Sequence, residues 1–315
     1  MLRPIASALA GLFLLTLPLA MPSVSRAAEA QPVDRFVGAV PETFDDPDAL
    51  LAAFKSRLAA DDQKGVLELL GLDPVAAVAS DGFAERFAEI RDQAAELVTV
   101  QELAPDRRVL LLGRAVWPLP FPMVEADGKW AFDTYEGLDE VVNRRIGENE
   151  LHAIATARTY VTAQEIYKET DWDGDGVLEY AQRLISTPGT YDGLYWPSGD
   201  GVPASPAGQY VEEGEIDGSG AGNGYFGYRF RILPGQGANI AGGKYDYVIN
   251  GNMIAGFGLI AWPVEYGQTG VTTFVINQYG TVYEKDLGED TAQVAEAITS
   301  FDPDDTWSVV TDVTQ

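Results

Sequence analysis

The spacing of the hydrophobic residues changes from that of helices to that of β-strands once in each half of this chain. This repeated change restricts the fold more than any other feature. Apolar residues recur at helical spacing in segments 44–71 and 81–98, and the spacing becomes that of β-strands in 107–124 and 128–135. Helices followed by antiparallel strands are typical of an α+β domain. We assign residues 35–142 to this domain.

Local signals support this order of elements. Asp46 is predicted to cap the first helix, with Pro47 at its first position, and Gly71 is predicted to end a short second helix. Asp127 and Gly128 predict a hairpin turn between two strands.

The second half repeats the order, and we assign residues 147–315 to a second α+β domain. A helix is predicted to begin near Glu148 and to continue to an acidic loop at 171–182, which an irregular Gly- and Pro-rich stretch follows. Turns are predicted at Asn250-Gly251 and at 277–280. The strand patterns occupy 224–233, 244–264 and 271–287, and a small helix closes the chain.

Residues 1–30 have the composition of a secretory signal peptide. A basic start at Arg3 precedes an apolar run and small residues, with cleavage predicted after Ala27 or Ala30. We therefore expect an exported, periplasmic protein. The alternative is an uncleaved anchor helix, although the apolar run is short for a membrane span. The chain has no cysteine, which excludes a disulfide framework and a thiol catalyst.

The formal net charge of −27 restricts the kinds of molecule that this protein can bind. Such a surface repels nucleic acid and anionic lipid and favours cations, including divalent metal ions. We expect no nucleic-acid partner and no membrane insertion after signal cleavage, and we expect an envelope protein or glycan as partner. The alternative is that the acidic residues form only a solvated face.

The acidic loop has the spacing of a calcium-binding loop. Asp171, Asp173 and Asp175 occupy positions 1, 3 and 5, Gly176 occupies position 6, and Val177 would supply a backbone carbonyl at position 7. Calcium prefers such oxygen ligands. The single histidine and the absence of thiols argue against zinc.

The pattern departs from a standard calcium loop at its end. Position 12 is Gln182 where a bidentate glutamate is usual, and Glu179 at position 9 could compensate, directly or through water. Leu178 at position 8 is expected to anchor the loop to the core. With calcium, the loop would fasten the end of the helix to the next segment. The alternative is a solvated turn, because Asp and Gly are common turn formers.

Two signals for catalysis are weak. His152 lies on the predicted helix one turn after Glu148, and no nucleophile motif accompanies it, which favours a surface or interface histidine over a general base. Paired carboxylates could hydrolyse glycosidic bonds, but 48 acidic residues make close pairs common.

Aromatic residues indicate two binding surfaces. Tyr191, Tyr195 and Trp196, joined by Tyr225, Phe226 and Tyr228, form either a ligand platform or part of the core. In the first domain, Trp117, Phe121 and Trp130 either line a pocket or fill it.

Four long segments resemble a known bacterial exported family. These segments are 143–167, 173–197, 245–288 and "FDPDDTW" at 301–307, and they are similar to domain-of-unknown-function family 2950. The resemblance covers nearly the whole mature chain. It implies no activity, because the members of that family have no settled one.

Two looser resemblances concern shape. The first domain is similar to the cone fold named after nuclear transport factor two, whose curved sheet often wraps a pocket. The second is similar to the globular head of pseudopilins, but its helix carries Glu148, Glu150, His152 and Arg158 and lacks the long apolar N-terminal part. Such likeness gives no function by itself.

The combined prediction is an α+β protein: helices packed on a curved antiparallel sheet, then a pilin-head-like helix with an antiparallel sheet. We expect a non-enzymatic envelope binding or interaction factor with a structural calcium loop. The alternatives are a hydrolase of envelope glycan or peptide that uses acidic residues, and a pseudopilin-like component of a surface assembly.

Overall fold

The structure is a computed structural model that describes residues 32–80, 82–211 and 222–311. The predicted signal peptide and its cleavage sites lie outside the described residues. The described chain consists of helices and antiparallel sheets, which confirms the α+β class.

Four α-helices open the fold after a short 3-10 helix at Pro32–Phe36. Asp46 caps α1 by accepting the N–H of Ala49 at 2.8 Å, and Pro47 occupies the first position, as predicted. Leu50, Phe54 and Leu58 form its buried stripe. The helices are α1 Pro47–Ala59, α2 Gln63–Leu69, α3 Pro74–Val78 and α4 Phe83–Glu96.

The first sheet has five antiparallel strands in the order β1-β2-β4-β5, with β3 paired to β2. Asp127 and Gly128 form the predicted turn between β4 and β5, with φ of 52° and 75°. The sequence did not predict β1, whose side chains are half-buried or exposed throughout. The strands are β1 Val98–Ala104, β2 Arg107–Leu112, β3 Trp117–Pro118, β4 Met123–Ala126 and β5 Lys129–Phe132.

A single 34-residue helix, α5 at Thr134–Tyr167, joins the two halves. The predicted start near Glu148 is therefore wrong: the helix begins after its cap Asp133, whose side chain accepts the N–H of Glu136 at 3.0 Å. The gap between the predicted domains 35–142 and 147–315 falls inside this helix. Gly147, a poor helix former, lies within it and is exposed.

The second sheet has five antiparallel strands in the order β14-β13-β12-β11-β6. Two small ribbons accompany it, β7–β8 and β9–β10. Asn250 and Gly251 form the predicted turn of the second ribbon, with φ of 54° and 100°. The strands are β6 Tyr228–Leu233, β7 Gly235–Gln236, β8 Tyr245–Asp246, β9 Val248–Ile249, β10 Asn252–Met253, β11 Gly258–Pro263, β12 Thr272–Asn277, β13 Tyr283–Asp286 and β14 Ser308–Val309.

Helices cover both faces of the second sheet. The face towards α5 includes Leu259 and Phe274, which pack with Ala157 and Tyr160 of that helix. The other face packs against α6, Thr291–Ala297, and includes Ile260, Trp262 and Val275 with Ala295 of that helix. Strand β11 is consequently buried on both sides. Within the described ranges, no helix combines the length and apolarity needed to cross a membrane.

Candidate functional site

The acidic loop brings its three aspartates together. Asp171, Asp173 and Asp175 each offer a carboxylate oxygen, and these oxygens lie within 4.8 Å of one another. Asp171 accepts the N–H groups of Gly174 at 2.8 Å and Gly176 at 2.9 Å. Both glycines have positive φ, 77° and 86°, a conformation that favours glycine. The backbone therefore curls around the Asp171 carboxylate.

Backbone donors stabilise the charged form of Asp171. The N–H of Gly176 is the largest cause that holds the pKa of the Asp171 carboxyl below its ordinary value of 3.8, and burial opposes it. Asp173 accepts the N–H of Asp175 at 3.2 Å, and Asp175 accepts the N–H of Val177 at 2.8 Å. Backbone hydrogen bonds thus hold the three carboxylates in place.

The second half of the loop is fastened to the β9–β10 ribbon. Asn252 donates its side-chain N–H to Asp175 Oδ2 at 2.7 Å. Glu179 Oε2 accepts the N–H of Met253 at 3.0 Å, and the Gln182 amide donates to the carbonyl of Gly251 at 2.7 Å. Glu179 and Gln182 therefore lie against the same ribbon that Asp175 contacts, and Glu179 is not part of the group of three carboxylates that converge within 4.8 Å.

Glu179 has a perturbed carboxyl group. Burial, and after it the negative charges of Asp173 and Asp175, raises the pKa of Glu179 above its ordinary value of 4.5, although the N–H of Met253 opposes the rise. A cation in the loop would reverse the charge effect of the two aspartates.

The residue that anchors the loop is Trp172, and the expectation for Leu178 was wrong. Leu178 is 58% exposed. Trp172 donates its indole N–H to the carbonyl of Tyr167 at 2.9 Å, and its ring lies 5.5 Å from that of Tyr191 and 5.0 Å from that of Trp196. An aromatic ring at loop position 2 thus provides the apolar contact that position 8 was expected to provide.

A groove of about 480 Å³ lies between α5 and the start of β6. The α5 side presents the Tyr160 ring together with small and polar residues, which are His152, Ala155, Thr156, Thr159 and Ala163. The opposite side is aromatic, with Tyr225, Phe226, Tyr228 and Phe230, and Arg229 lies among them. The lining also includes Tyr195, Leu259 and Trp262.

A strained turn shapes one wall of the groove. Phe226 and Gly227 form a two-residue turn with φ of 47° and 71°, and Tyr225 and Tyr228 exchange both backbone hydrogen bonds across it at 2.8 and 3.1 Å. Positive φ is uncommon for a bulky residue. The Phe226 ring stacks on the His152 ring, with centroids 3.9 Å apart and planes 6° apart. His152 therefore supports the aromatic wall.

Tyr228 is fixed at the base of this wall. Its hydroxyl donates to the carbonyl of Thr272 at 2.9 Å, and burial, followed by the nearby Glu150 charge, raises its pKa. Glu150 in turn accepts the N–H groups of Val271 and Thr272, both at 3.0 Å. The contacts tie α5 to the start of β12, so the groove has walls of regular structure.

The structure separates the residues of the predicted aromatic platform. Trp196 is 5% exposed, and its indole N–H donates to the carbonyl of Pro203 at 2.8 Å. Tyr191 packs against Trp172 and Trp196 beside the acidic loop. Tyr195 is buried as well and lines the groove together with Tyr225, Phe226 and Tyr228. Of the first three residues only Tyr195 reaches the groove, which the second three also line, so the six residues do not form one platform.

The three aromatic residues that were considered for a pocket in the first half pack against other side chains. Phe121 and Trp130 are buried in the core of that half, at 6% and 5% exposure. Trp117 is half-buried, and the Arg144 guanidinium lies 5.0 Å from its ring centroid. These contacts favour the alternative in which the three rings fill the concave face.

Sequence reasoning missed the groove residues Arg229, Trp262, Thr156 and Thr159. Each lies in a segment that was predicted as helix or strand, but no local pattern indicates which of them face one another. Strand pairing brings Arg229 opposite Trp262, and α5 brings the two threonines to the same groove.

The comparisons with known proteins identify a family whose activity is not described. A family model described as "Protein of unknown function (DUF2950)" matches residues 41–310. No curated protein and no solved structure matches the chain.

Proposed function

Because this chain belongs to the DUF2950 family, which is described only as proteins of unknown function, we propose its function from its own geometry. It is a binding protein that holds the apolar part of a ligand in the groove between α5 and the Phe226 turn. The observation that carries this proposal is a groove of about 480 Å³ with one aromatic wall.

The dimensions and lining of the groove support binding. Small-molecule sites have volumes of about 300–1,000 Å³, apolar and aromatic walls and a few polar groups. This groove has such walls, and His152, Thr156, Thr159 and Arg229 supply polar groups. The described lining contains no Asp or Glu, so the groove gives no support to a hydrolase that would use a carboxylate pair.

The second part of the proposal is a calcium ion in the acidic loop. The donor set is made of oxygen atoms, which suits a hard cation, and three carboxylates converge within 4.8 Å. Asp171, Asp173 and Asp175 would hold the ion, with the Val177 carbonyl, Glu179 and Gln182 as further ligands. We expect weak binding, with a dissociation constant on the order of 10⁻⁴–10⁻³ M, as in extracellular modules.

The ion would have a structural role. The loop follows α5 directly and bonds to the β9–β10 ribbon through Asp175 and Glu179. Calcium would therefore fasten the end of α5, which forms one wall of the groove, to the second half of the chain. At a hundredfold excess over its dissociation constant, a ligand stabilises the folded state by about 2.7 kcal/mol.

The proposed setting is the bacterial envelope. The composition of residues 1–30 supports export to the periplasm, and an envelope protein or glycan remains the proposed macromolecular partner. A pseudopilin-like role in a surface assembly is the alternative; mass measurement of an uncleaved N-terminus in the exported protein would favour it.

We also propose that both halves share the shapes indicated by the sequence resemblances. In the second half, α5 packs on an antiparallel sheet, as in a pseudopilin head. In the first half, helices pack on an antiparallel sheet, as in the cone fold named after nuclear transport factor two. An experimental structure that superposes on neither fold would contradict this part of the proposal.

The binding proposal is tested with a neutral fluorescent probe, N-phenyl-1-naphthylamine, whose emission increases in apolar sites. Ala155 is an exposed groove residue on α5, so Ala155→Trp should fill the groove without disturbing the core. We expect saturable binding to the unaltered protein and at least a tenfold loss of affinity in this variant.

The matched control is Asn143→Trp. Asn143 is exposed on the same helix, about 18 Å from Ala155 at 1.5 Å per residue. This variant should bind the probe like the unaltered protein. Equal affinity of all three proteins for the probe would contradict the proposed site.

A further inference from the structure

We propose that the ligand of the groove is an extended peptide segment that pairs with the outer edge of β6 as an antiparallel sixth strand of the second sheet. Every second side chain of the peptide would be apolar and would lie in the groove. This inference rests on the proposed binding function and names the class of ligand.

The free edge of β6 is the first argument. The strand order β14-β13-β12-β11-β6 gives β6 one strand neighbour, β11, among the described strands. The register of β6 with β11 runs through six consecutive residue pairs without a bulge. A regular edge strand presents unpaired backbone N–H and C=O groups, with which another extended chain can pair.

The hydrogen bonds next to β6 show which of its backbone groups face outward. The N–H of Val264 donates to the carbonyl of Gly227 at 2.9 Å, and these two residues continue the register of β6 with β11. Because hydrogen-bonded pairs alternate along an antiparallel ladder, the odd-numbered residues of β6 bond to β11 and the even-numbered residues face away. Tyr228 follows this rule, since its N–H and C=O bond to Tyr225 and not to β11.

Phe230 and Ile232 therefore direct their N–H and C=O groups away from β11. Among the described residues, none bonds to these four groups. An alkyl chain has no groups that could pair with them. An extended peptide repeats one donor and one acceptor every two residues, about 6.8 Å along a strand, and in the antiparallel orientation it can exchange both bonds with each of the two residues.

The groove borders this edge of the strand. Tyr228, Arg229 and Phe230 are consecutive, and all three line the groove. Successive side chains of a strand point to opposite faces, so three consecutive lining residues place the strand edge, and not one face alone, at the groove. A chain that paired with β6 would therefore run along the groove.

The face of β6 towards α5 determines which side chains the peptide would place in the groove. Phe230 and Ile232 pack with the core cluster that includes Ala157 and Tyr160 of α5. Peptide residues opposite Phe230 and Ile232 would have their side chains on this same face. We therefore expect apolar residues at these alternate positions of the peptide.

The opposite face of β6 offers one cation to the positions in between. Arg229 and Arg231 point to the face that packs against α6. The guanidinium of Arg231 donates to three carbonyls at the end of α6 at 2.6–3.1 Å. Arg229 is exposed, makes one long contact of 3.5 Å to the carbonyl of Gly222, and has no carboxylate partner among the described residues. An acidic peptide residue opposite Arg229 would form a favourable cross-strand pair.

The other described edges of the two large sheets are less suited to strand addition. Strand β14 has only two residues, Ser308–Val309. Strand β1 has seven residues, but its register shifts between Glu102 and Ala104, and such a bulge makes an edge less available for pairing. On β5, Trp130 is already bridged to Phe44. A long, regular and unpaired edge therefore distinguishes β6.

The experiment is calorimetric titration of the purified protein with the peptide acetyl-Leu-Thr-Leu-Glu-Leu-amide. In the antiparallel orientation, its central leucine pairs with Phe230 and its glutamate lies opposite Arg229. We expect saturable binding, and we expect the peptide to displace N-phenyl-1-naphthylamine from the groove.

Methylation of single peptide nitrogens tests the backbone pairing. N-methylation of the central leucine removes the N–H that would donate to the carbonyl of Phe230, so the affinity should fall about 3- to 10-fold. N-methylation of the threonine is the matched control, because this N–H points away from β6. The control peptide should bind like the unmethylated one.

Ile232→Pro tests the position of the peptide on the protein. It removes an N–H that faces outward and leaves the bonds to β11 in place, and proline is tolerated at such positions of edge strands. The peptide affinity should be about 3- to 10-fold lower than in Ile232→Val, which keeps the N–H. Saturable binding of N-phenyl-1-naphthylamine by both variants shows that they are folded.

Arg229→Gln tests the acidic position. It should reduce the affinity for the peptide about 2- to 5-fold. It should leave unchanged the affinity for a peptide that has glutamine in place of glutamate. An equal effect on both peptides would overturn the acidic position.

The outcomes separate the two proposals. Unchanged affinity after N-methylation of the central leucine, an equal loss after N-methylation of the threonine, or equal peptide affinity of the two Ile232 variants would overturn strand addition at β6. Failure of the peptide to bind, with saturable binding of N-phenyl-1-naphthylamine, would overturn the peptide ligand and leave the groove as a binding site. Failure of both to bind would overturn the binding function itself.

Discussion

Phe226 occupies a backbone conformation that aromatic residues avoid. Its φ is 47°, at the first position of a two-residue turn where Asn is preferred before Gly. The Asn250–Gly251 turn of the same protein has the preferred sequence at φ of 54° and 100°. Strain of this kind costs about 1–3 kcal/mol and is common at functional sites. This strained conformation places the Phe226 ring in the aromatic wall of the groove.

Phe226→Asn should therefore separate stability from binding. The asparagine relieves the turn but removes the stacking on His152, so we expect the free energy of unfolding to stay within about 1 kcal/mol of the original value or to rise. Affinity for N-phenyl-1-naphthylamine should decrease at least threefold. Chemical denaturation and probe fluorescence measure the two effects.

The reciprocal variant Asn250→Phe is the control. It places the same ring in the same kind of turn away from the groove and should destabilise the protein by about 1–3 kcal/mol without changing probe affinity. A Phe226→Asn variant that binds the probe as well as the original would contradict the role given to this ring.

Asp173 allows a test of the metal loop. Terbium is an oxygen-seeking ion, and Trp172 is close enough to sensitise its emission. We expect terbium emission that calcium displaces, and a loss of affinity of at least tenfold in Asp173→Asn, because the variant removes one carboxylate charge. Asp200→Asn, at an exposed aspartate outside the loop, should behave like the original protein. Equal terbium binding by both variants would show that the loop is only a solvated turn.

If the loop binds calcium as proposed, Glu179 should make the calcium affinity depend on pH. Burial raises its pKa above 4.5, and calcium requires the carboxylate form, so protons compete with the ion. Affinity should be constant above this raised pKa and should fall as the pH decreases through it. Glu179→Gln should move the fall to lower pH, and an unchanged profile would remove Glu179 from the ligand set. Without calcium, the contribution of Glu179 to stability decreases as the pH rises through its pKa.

At the scale of elements, α5 is the component that both halves share. Leu138 and Val142 are buried in its first part, and Ala153 and Ala157 are buried against the second sheet. Asn149 donates to the carbonyl of Thr269 at 2.9 Å, and Arg144 donates to the carbonyl of Pro118 at 2.8 Å. These contacts fix the helix to segments on both sides of the predicted domain gap.

Two glycines in α5 test its continuity. Gly147 is exposed, and a Cβ added there would meet no other atom within 4 Å, so Gly147→Ala should stabilise the protein by about 1 kcal/mol through helix propensity. Gly147→Pro should cost about 3 kcal/mol or more. Denaturant unfolding measures both. A proline that is tolerated at 147 would indicate a linker in place of a helix.

Gly137→Ala is the matched control on the same helix. A Cβ at 137 would meet Cδ1 of Phe121 at 1.9 Å, so the variant should lose about 1–3 kcal/mol by overpacking. The opposite signs expected for the two alanine variants distinguish a packed helical glycine from an open one.

At the scale of the whole molecule, the sequence predicted what is encoded locally. The cap at Asp46 and the turns at Asp127-Gly128 and Asn250-Gly251 depend on neighbouring residues, and all three are confirmed. The grouping of the three loop aspartates is local in the same way. The predicted start of α5 near Glu148 was wrong, because the helix begins at Thr134 and has buried residues on both sides of that position, and this packing is not local.

The groove could not be predicted, because its parts are distant in the sequence. His152 lies on α5, Phe226 lies in a turn before β6, and Trp262 lies on β11. No periodic pattern relates these segments. Their proximity follows from the order of strands in the second sheet and from the way α5 crosses it, which the single sequence does not encode as a motif.

The most direct test of the central claim is a crystal structure of the protein with 10-bromodecanoate, located by the anomalous scattering of bromine. The account predicts a bromine peak in the groove between α5 and the Phe226 turn. A bromine peak only at other sites, in crystals soaked at a concentration that saturates binding in solution, would contradict it.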